Sequence, residues 1–329
     1  MNKLKKTTGV SRREFLGKSA ATLAGIALVT PESWGVPNII RNLNKPNSNF
    51  GGVQIGVITY SFRSLPVDAE SVLRYCVDAN ISAIELMGPT AEAFAGVPHT
   101  VTEPGRQSEG GNREREARAK DLAQWRAHVA MDKFVQLRKM FNDAGVSIYA
   151  YKPSALGERN SDVEIDYAMR AAKALGANHV TVELQKNPNQ SARLGRIAAL
   201  NKMVVAYHGH LQQTFTAWDE ALAQSEYNGI NLDAGHYVAA GHDPLAFIEA
   251  KHERIYSMHL KDRRSPANGQ ANVPWGEGDT PIADILCLMR KNKYKFPGTI
   301  ELEYPVPEGS DAVKEVARCV EYCRKALEC

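Results

Sequence analysis

The chain has 329 residues, of which 43% are hydrophobic, and a formal net charge of +3. This length is sufficient for one large α/β barrel or two smaller domains. Residues 1–31 carry six Lys or Arg and one acidic residue, which leaves about −2 for the rest of the chain. Such a near-neutral domain lacks the basic surface that nucleic-acid binding requires, so we expect no nucleic-acid partner.

The first 31 residues are typical of a twin-arginine export signal. Arg12 and Arg13 precede a short apolar run from Ser19 to Val29. The run is short and rich in Ala and Gly for a membrane span, and an uncleaved anchor is the alternative. The sequence therefore predicts export to the periplasm as a folded protein, with the twin-arginine translocase as a transient partner.

After a Pro- and Asn-rich tether over 32–52, strand and helix patterns alternate through a single domain over 53–329. The predicted strands are 53–61, 82–87, 146–151, 178–184, 203–207, 229–232, 255–260 and 298–304. The predicted helices are 68–79, 129–144, 162–175, 216–224, 243–250, 281–291 and 311–327. Eight strands with short connections predict an α/β fold, a (β/α)8 TIM barrel. A doubly wound open sheet is disfavoured because no Gly-x-Gly-x-x-Gly follows the first strand.

Two further features leave alternatives open. Residues 89–125 form a long irregular insertion after the second strand, for which we expect a lid or an oligomer contact, with a solvated loop as the alternative. The five cysteines fall at helix-like or terminal positions without a Cys-x-x-Cys pair, and we interpret them as packing residues.

Polar residues recur where predicted strands end. Glu183, Asp233, His259 and Glu303 end strands four, six, seven and eight. The ends of parallel barrel strands meet at one mouth, so these side chains are expected to lie together. An isolated Asp at such a position would be interpreted as a helix cap, but the repetition favours a metal site. Glu301 competes with Glu303 because strand alternation points both inward.

Several motifs at these positions resemble one family. They are Tyr207-His208-Gly209-His210, Leu232-Asp233-Ala234-Gly235-His236, His259-Leu260-Lys261-Asp262, the turn Val273–Asp279, and Ile300–Tyr304. Together they resemble the xylose isomerase-like barrel superfamily, in particular the sugar phosphate isomerase/epimerase group, with inosose dehydratases and ketohexose epimerases as relatives. The resemblance covers about residues 53–327.

The resemblance implies that Glu183, Asp233, His259 and Glu303 bind one divalent metal ion. Three oxygen donors and one nitrogen suit Mn²⁺ first, with Mg²⁺, Co²⁺ or Zn²⁺ as alternatives. It also implies that Glu183 and Glu303 transfer protons on opposite faces of a sugar.

Other polar residues near the strand ends are candidates for substrate contacts. His236 resembles the substrate-hydroxyl contact of the family, with a helix-capping histidine as the alternative. His208 is predicted to act as an acid, a base or a hydroxyl ligand, and His210 and Lys152 to bind substrate. Lys261 is a further substrate-binding candidate, and it replaces the histidine that ketohexose epimerases tend to place there, which favours the dehydratase-like relatives. Glu85 and Trp275 are rim candidates, with packing as the default.

These observations predict a divalent-metal-dependent sugar isomerase or epimerase that abstracts the proton next to a carbonyl through a metal-stabilised enediolate. The alternative is a lyase or dehydratase that eliminates a group from a keto-sugar or 3-keto-glycoside. A non-catalytic sugar-binding barrel and an abasic-site endonuclease are the remaining alternatives. The expected partner is a small carbohydrate, and a homo-oligomer is possible.

Overall fold

The structure is a computed structural model that describes residues 45–98 and 112–329, all within the compact unit Val36–Cys329. Its strands are β1 (Asn49–Phe50), β2 (Val53–Ile58), β3 (Ala83–Met87), β4 (Ser147–Lys152), β5 (His179–Glu183), β6 (Val204–His208), β7 (Asn228–Asp233), β8 (Ile255–Leu260) and β9 (Gly298–Ile300). Strands β2 to β9 pair in chain order and in parallel, and β2 also pairs with β9, which closes the barrel. The predicted (β/α)8 barrel is confirmed.

Helices surround this barrel. They are α1 (Ala69–Asp78), α2 (Gly88–Phe94), α3 (Asn112–His128), α4 (Asp132–Asp143), α5 (Asp162–Leu175), α6 (Pro188–Asn201), α7 (Asp219–Gln224), α8 (Ala234–Ala239), α9 (Pro244–Lys251), α10 (Ile282–Asn292) and α11 (Ala312–Ala326). Helix α5 shows how the sequence determines where a helix begins and ends. Ser161 and Glu164 form a capping box at its start, and Gly176 ends it with φ +81°. No helix among residues 45–98 and 112–329 has the length and apolar character needed to cross a membrane.

The predicted export signal over 1–31 lies outside the described residues, as does most of the tether. Residues 45–52, at the end of that tether, pack against the barrel. Asn49 and Phe50 pair antiparallel with the start of β2, and the buried Ser48 hydroxyl donates to the Ile55 carbonyl over 2.6 Å. This segment therefore belongs to the folded unit.

The insertion over 89–125 is partly helical. Helix α2 begins at its edge and α3 contains its charged run, whereas residues 99–111 lie outside the described part of the chain. Helix α6 was not among the predicted helices. It is capped by Asn187 with Pro188 in the first turn, and it buries Leu194 and Ile197 against the barrel.

Two of the five cysteines differ from the packing interpretation. Cys287 on α10 and the terminal Cys329 form a disulfide, while Cys76, Cys319 and Cys323 are buried free thiols.

The barrel interior is closed below the mouth by side chains. Tyr149 crosses the lumen, where its hydroxyl lies 2.7 Å from the Thr299 hydroxyl. Gly56 makes room for this ring, because a Cβ there would lie 2.6 Å from Tyr149 Cε1. Functional side chains are therefore confined to the ends of the strands above this layer.

Candidate active site

Strand register places the predicted polar residues around one mouth. Glu183 is level with His208 across β5 and β6, and Asp233 is level with His259 across β7 and β8. Glu301 follows the end of β9, where its N–H donates to the Leu260 carbonyl over 3.0 Å. A cavity of about 430 Å³ opens between these strand ends. It is lined by Ile58, Tyr60, Met87, Lys152, Glu183, His208, His210, His236, Glu301 and Glu303.

Lys261 is a buried cation at the base of this site. Its side chain is only 2% exposed, and Nζ lies 2.6 Å from Glu301 Oε2, 2.7 Å from Glu303 Oε2 and 3.0 Å from Asp233 Oδ2. Burial alone would lower the pKa of Lys261, but the three carboxylates outweigh it and raise the pKa. Lys261 is therefore an ammonium held by three acids.

Gly235 permits this position of Lys261. A Cβ at Gly235 would lie 2.3 Å from Lys261 Cγ and 2.6 Å from the Lys261 carbonyl oxygen. Both distances are shorter than van der Waals contact, so the glycine of the Asp-Ala-Gly-His motif is required for close approach of the lysine.

His259 is a second buried cation. Its Nδ1 lies 2.9 Å from Glu301 Oε2 and its Nε2 lies 2.8 Å from Glu85 Oε2. Burial would lower the pKa of His259, but the two carboxylates raise it to about 10. With both nitrogens facing carboxylates, the ring is an imidazolium that donates two hydrogen bonds.

The site contains more negative than positive groups. Glu85, Asp233, Glu301 and Glu303 face Lys261 and His259. Burial, and Glu301 in addition, raise the pKa of Asp233 despite the nearby Lys261. Among the charged groups and histidines of the site, two buried atoms have no hydrogen bond: Asp233 Oδ2, which contacts Lys261 without hydrogen-bond geometry, and His208 Nδ1. The cluster therefore contains more carboxylates than cations, and two of its side-chain atoms are available to bind a ligand.

Four of these residues form a candidate metal centre. Ligand atoms of His208, Asp233, His259 and Glu301 all lie within 4.8 Å of one another, and all four residues are buried. Of the four predicted ligands, Asp233 and His259 belong to this group. Glu183 and Glu303 do not belong to it, and His208 and Glu301 complete it.

Glu183 lies on another wall of the cavity. Lys152 Nζ donates to its Oε1 over 2.9 Å, and His210 Nε2 lies 3.6 Å from its Oε2. Burial would lower the pKa of Lys152, but Glu183 and Glu85 raise it. The side chain of Glu183 is 49% exposed, so it is accessible from the mouth.

His236 is a neutral hydrogen-bond donor whose tautomer is set by Arg263. Arg263 Nη1 contacts His236 Nδ1, and its Nε and Nη2 donate to the Gln270 carbonyl over 3.2 and 2.5 Å. A guanidinium has no acceptor, so His236 Nδ1 accepts and the hydrogen of the ring is on Nε2. Burial, with Lys261 and Arg263, lowers the pKa of His236 to about 2, so the ring stays neutral.

This tautomer determines whether a second group of imidazoles can bind a cation. His208, His210 and His236 also have ligand atoms within 4.8 Å of one another. Because His236 Nε2 carries the hydrogen, it has no lone pair for a cation. Arg263 does not line the cavity, whereas His236 does, so the ring presents its N–H to a bound molecule.

Some functional residues were missed or undervalued from the sequence. Glu85 was only a rim candidate, yet it is buried, binds His259 and accepts from the Thr181 hydroxyl. A single acid inside the apolar strand Ala83–Met87 was the available signal. Arg263 was not identified. Trp275 packs edge-on against Tyr322 outside the cavity lining.

The protein is thus a closed parallel barrel whose strand ends carry a cluster of carboxylates and histidines. Residues 113–325, more than half of the chain, match the family described as xylose isomerase-like TIM barrel. The protein belongs to this family.

Individual relatives agree with this family assignment. The inosose dehydratase of Clostridium botulinum (strain Eklund 17B / Type B) is 34% identical over 132 residues, covering 34% of this chain and 44% of the relative. This chain thus spans less than half the length of that curated relative.

Solved structures show the fold at lower identity. The IOLI protein with a bound zinc atom is 15% identical with a TM-score of 0.56, covering 83% of this chain and 98% of that one. The 3-keto-D-glucoside 4-epimerase YcjR from E. coli is 11% identical with a TM-score of 0.57, covering 83% of this chain and 99% of that one.

Proposed function

We propose that this protein is a sugar-modifying enzyme that removes a proton from the carbon next to a carbonyl, giving isomerisation or epimerisation. The observation that supports this most directly is the placement of Glu183 and Glu303. Glu183 is the last residue of β5, and Glu303 follows β9; these strands are four apart in the ring of eight and therefore on opposite walls. Both line the same cavity.

Each carboxylate is positioned by an ammonium group. Lys152 holds Glu183 at 2.9 Å, and Lys261 holds Glu303 at 2.7 Å. A sugar between the two walls presents one face to each carboxylate. One of the two accepts the proton as a carboxylate, and the other, in its carboxylic acid form, gives its proton to the same carbon from the opposite face, which inverts the carbon. His236 Nε2–H donates to a substrate oxygen that gains negative charge.

The residues of the candidate metal centre fit a divalent cation. Two imidazoles and two carboxylates are close together, with the Asp233 Oδ2 and His208 Nδ1 atoms unbonded and too few positive charges nearby. His208, Asp233, His259 and Glu301 would hold the ion, and mixed nitrogen and oxygen donors suit Mn²⁺, Co²⁺ or Zn²⁺. His259 would release one of its two ring protons on binding, because a ligand imidazole must be neutral. When bound, the ion supplies Lewis-acid polarisation of the carbonyl. This division leaves Glu183 and Glu303 available for proton transfer.

Deuterium exchange tests the two-base proposal. Keto-sugars incubated with the metal-supplemented protein in D₂O should gain deuterium at the carbon next to the carbonyl. Glu183→Gln and Glu303→Gln should each lower turnover by about 100-fold or more, whereas Glu249→Gln, at an exposed position of α9, should leave it unchanged. Full turnover in both site variants would contradict the proposal.

A second candidate outcome is elimination. It is favoured by the inosose dehydratase relative, whose name describes loss of water. The same proton abstraction would then be followed by departure of a group from the next carbon, with a proton delivered to the leaving oxygen. An unsaturated product in the deuterium experiment would identify elimination, and an epimer with one deuterium would identify epimerisation.

We also propose that the protein reaches the periplasm through the twin-arginine pathway, on the basis of residues 1–31. A periplasmic enzyme would meet sugars that are not phosphorylated. Replacing Arg12 and Arg13 together by Lys should retain the protein in the cytoplasm, as followed by cell fractionation. Unaltered export of that variant would contradict the proposal.

A further inference from the structure

We propose that the substrate is an uncharged glycoside, with the reacting ring in the cavity described above and the attached group in a second cavity beside it. This inference rests on the proposed function and names its substrate class. The second cavity measures about 530 Å³. It lies between the segment after β2, the segment after β9 and the start of α11.

Glu303 connects the two cavities. It is the one residue that lines both, among the described residues, and its side chain is 22% exposed. A molecule that occupies both cavities would contact this carboxylate. Glu303 would therefore lie beside the bond that joins the two parts of such a substrate.

A stacked pair joins the linings of the two cavities. Tyr60 lines the first cavity and Arg63 lines the second, and the guanidinium carbon of Arg63 lies 4.4 Å from the centre of the Tyr60 ring. Arg63 Nη1 donates to the carbonyl of Leu302 over 2.7 Å and to that of Tyr60 over 3.2 Å. These bonds hold the Arg63 side chain in place at the wall of the second cavity.

The lining of the second cavity favours an uncharged ring. Arg63 is its one cationic residue, and Glu303 and Asp311 oppose it. A phosphate would face the Glu303 and Asp311 carboxylates, and one nitrogen of the opposing guanidinium, Arg63 Nη1, already donates to two carbonyls. Leu65, Leu302 and the 38% exposed Val306 supply apolar surface. Cavities of this size hold ring-sized ligands, and a sugar or aromatic ring fits this mixture of apolar walls and few polar groups.

The test fills the second cavity and leaves the first intact. Val306→Trp places an indole in the second cavity, and Val163→Trp is the control, since Val163 is exposed on α5 and lines neither cavity. The probes are a keto-glucose, its phenyl glycoside and a keto-sugar phosphate, each followed by deuterium exchange in D₂O. For the wild type we expect kcat/KM for the phenyl glycoside to exceed that for the other two by about tenfold or more.

Val306→Trp should remove this advantage, leaving kcat/KM for the keto-glucose within about twofold of wild type, and Val163→Trp should change neither. Equal kcat/KM for glycoside and free sugar, a preference for the phosphate, or an equal loss on both substrates in Val306→Trp would overturn the inference while leaving the proposed function standing. Absence of exchange with every probe would refute the proposed function as well.

Discussion

Two regions of this molecule bury a cation among carboxylates, and they differ in whether every group has a partner. In the first, Arg126 on α3 donates to Glu92 over 2.8 Å, to Glu164 over 3.2 Å and to the Ser154 hydroxyl over 2.7 Å. In the second, Lys261 and His259 face four carboxylates at the barrel mouth, and two buried polar atoms stay unbonded.

The difference separates a structural cluster from a functional one. The Arg126 cluster joins α2, α3 and α5, and its charged groups pair with one another. Glu164 accepts further bonds from Asn160 and from the backbone N–H of Ser161. The mouth cluster keeps an excess of negative charge and opens to a cavity. Buried charge without full compensation costs stability, and it is retained where it binds a ligand or transfers a proton.

Replacing Arg126 in the structural cluster should lower the stability of the protein more than any other change considered below. Arg126→Met should lower the free energy of unfolding by about 3–5 kcal/mol, because Glu92 and Glu164 would remain buried without a cation. Urea denaturation followed by circular dichroism measures this. The matched control is Arg196→Met, since Arg196 is 59% exposed and pairs with Asp162 at the surface, where less than about 1 kcal/mol is expected. Equal losses in the two variants would show that the Arg126 cluster is not structural.

At the mouth, Arg263→Met should lower kcat by about 10- to 100-fold, because His236 would no longer be held in the tautomer with its hydrogen on Nε2. Arg263→Lys retains a donor and should recover part of the activity. Nitrogen-15 NMR of the histidine rings provides the independent measurement. In the wild type His236 should show an unprotonated Nδ1 and a protonated Nε2, and Arg263→Met should show a mixture. A pure Nε2–H tautomer in Arg263→Met would contradict the assigned role.

Asp233→Asn should make the metal-free protein more stable and at the same time abolish its activity. Because the folded state raises the pKa of Asp233, the ionised carboxylate is less favourable there than in the unfolded chain. Removing it should raise the unfolding free energy of the metal-free protein by about 1 kcal/mol at pH 7, while activity is lost. Thermal denaturation in the presence of a chelator measures the change. A destabilised variant would contradict the excess of negative charge.

The smallest effect is a pH dependence of the structural cluster. Burial would raise the pKa of Glu164, but bonds from Ser161, Asn160 and Arg126 lower it below its ordinary value of 4.5. The ionised carboxylate thus contributes stability above that value, and this contribution is lost as pH falls from 4.5 through the lower pKa of the folded state. Glu164→Gln should therefore lose less stability than wild type between pH 6 and about 3 in urea titrations. Parallel losses would exclude the cluster from the acid response.

The sequence predicts the barrel well because the alternation of strands and helices is a local pattern. The predicted strand positions lie within a few residues of β2 to β9. Helix α6 was missed although Asn187 and Pro188 mark its start, because its apolar positions are diluted by polar and small residues. The disulfide between Cys287 and Cys329 depends on the approach of α10 and the chain end, which residue spacing does not specify.

The site was predictable by region and less so by residue. Alternation directs both Glu301 and Glu303 inward, and both do contact Lys261, but only Glu301 reaches His259. That choice depends on strand tilt and side-chain reach. Glu85 is 174 residues from His259 in the chain, and Arg263 is 27 residues from His236 with a helix and a strand between them, so neither contact has a sequence signature. Residue types at strand ends thus locate a mouth, and three-dimensional packing assigns the partners.

Metal content shows whether the barrel mouth binds a divalent cation. Protein purified with Mn²⁺, dialysed and analysed by plasma mass spectrometry should retain about one divalent ion per chain. Asp233→Asn should lower that occupancy. Asp243→Asn is the matched control, because Asp243 caps α9 as Asp233 caps α8 but lies outside the candidate metal centre. Loss of metal in Asp233→Asn alone is the predicted result; equal occupancy in wild type and Asp233→Asn, or no retained ion in wild type, would contradict the account.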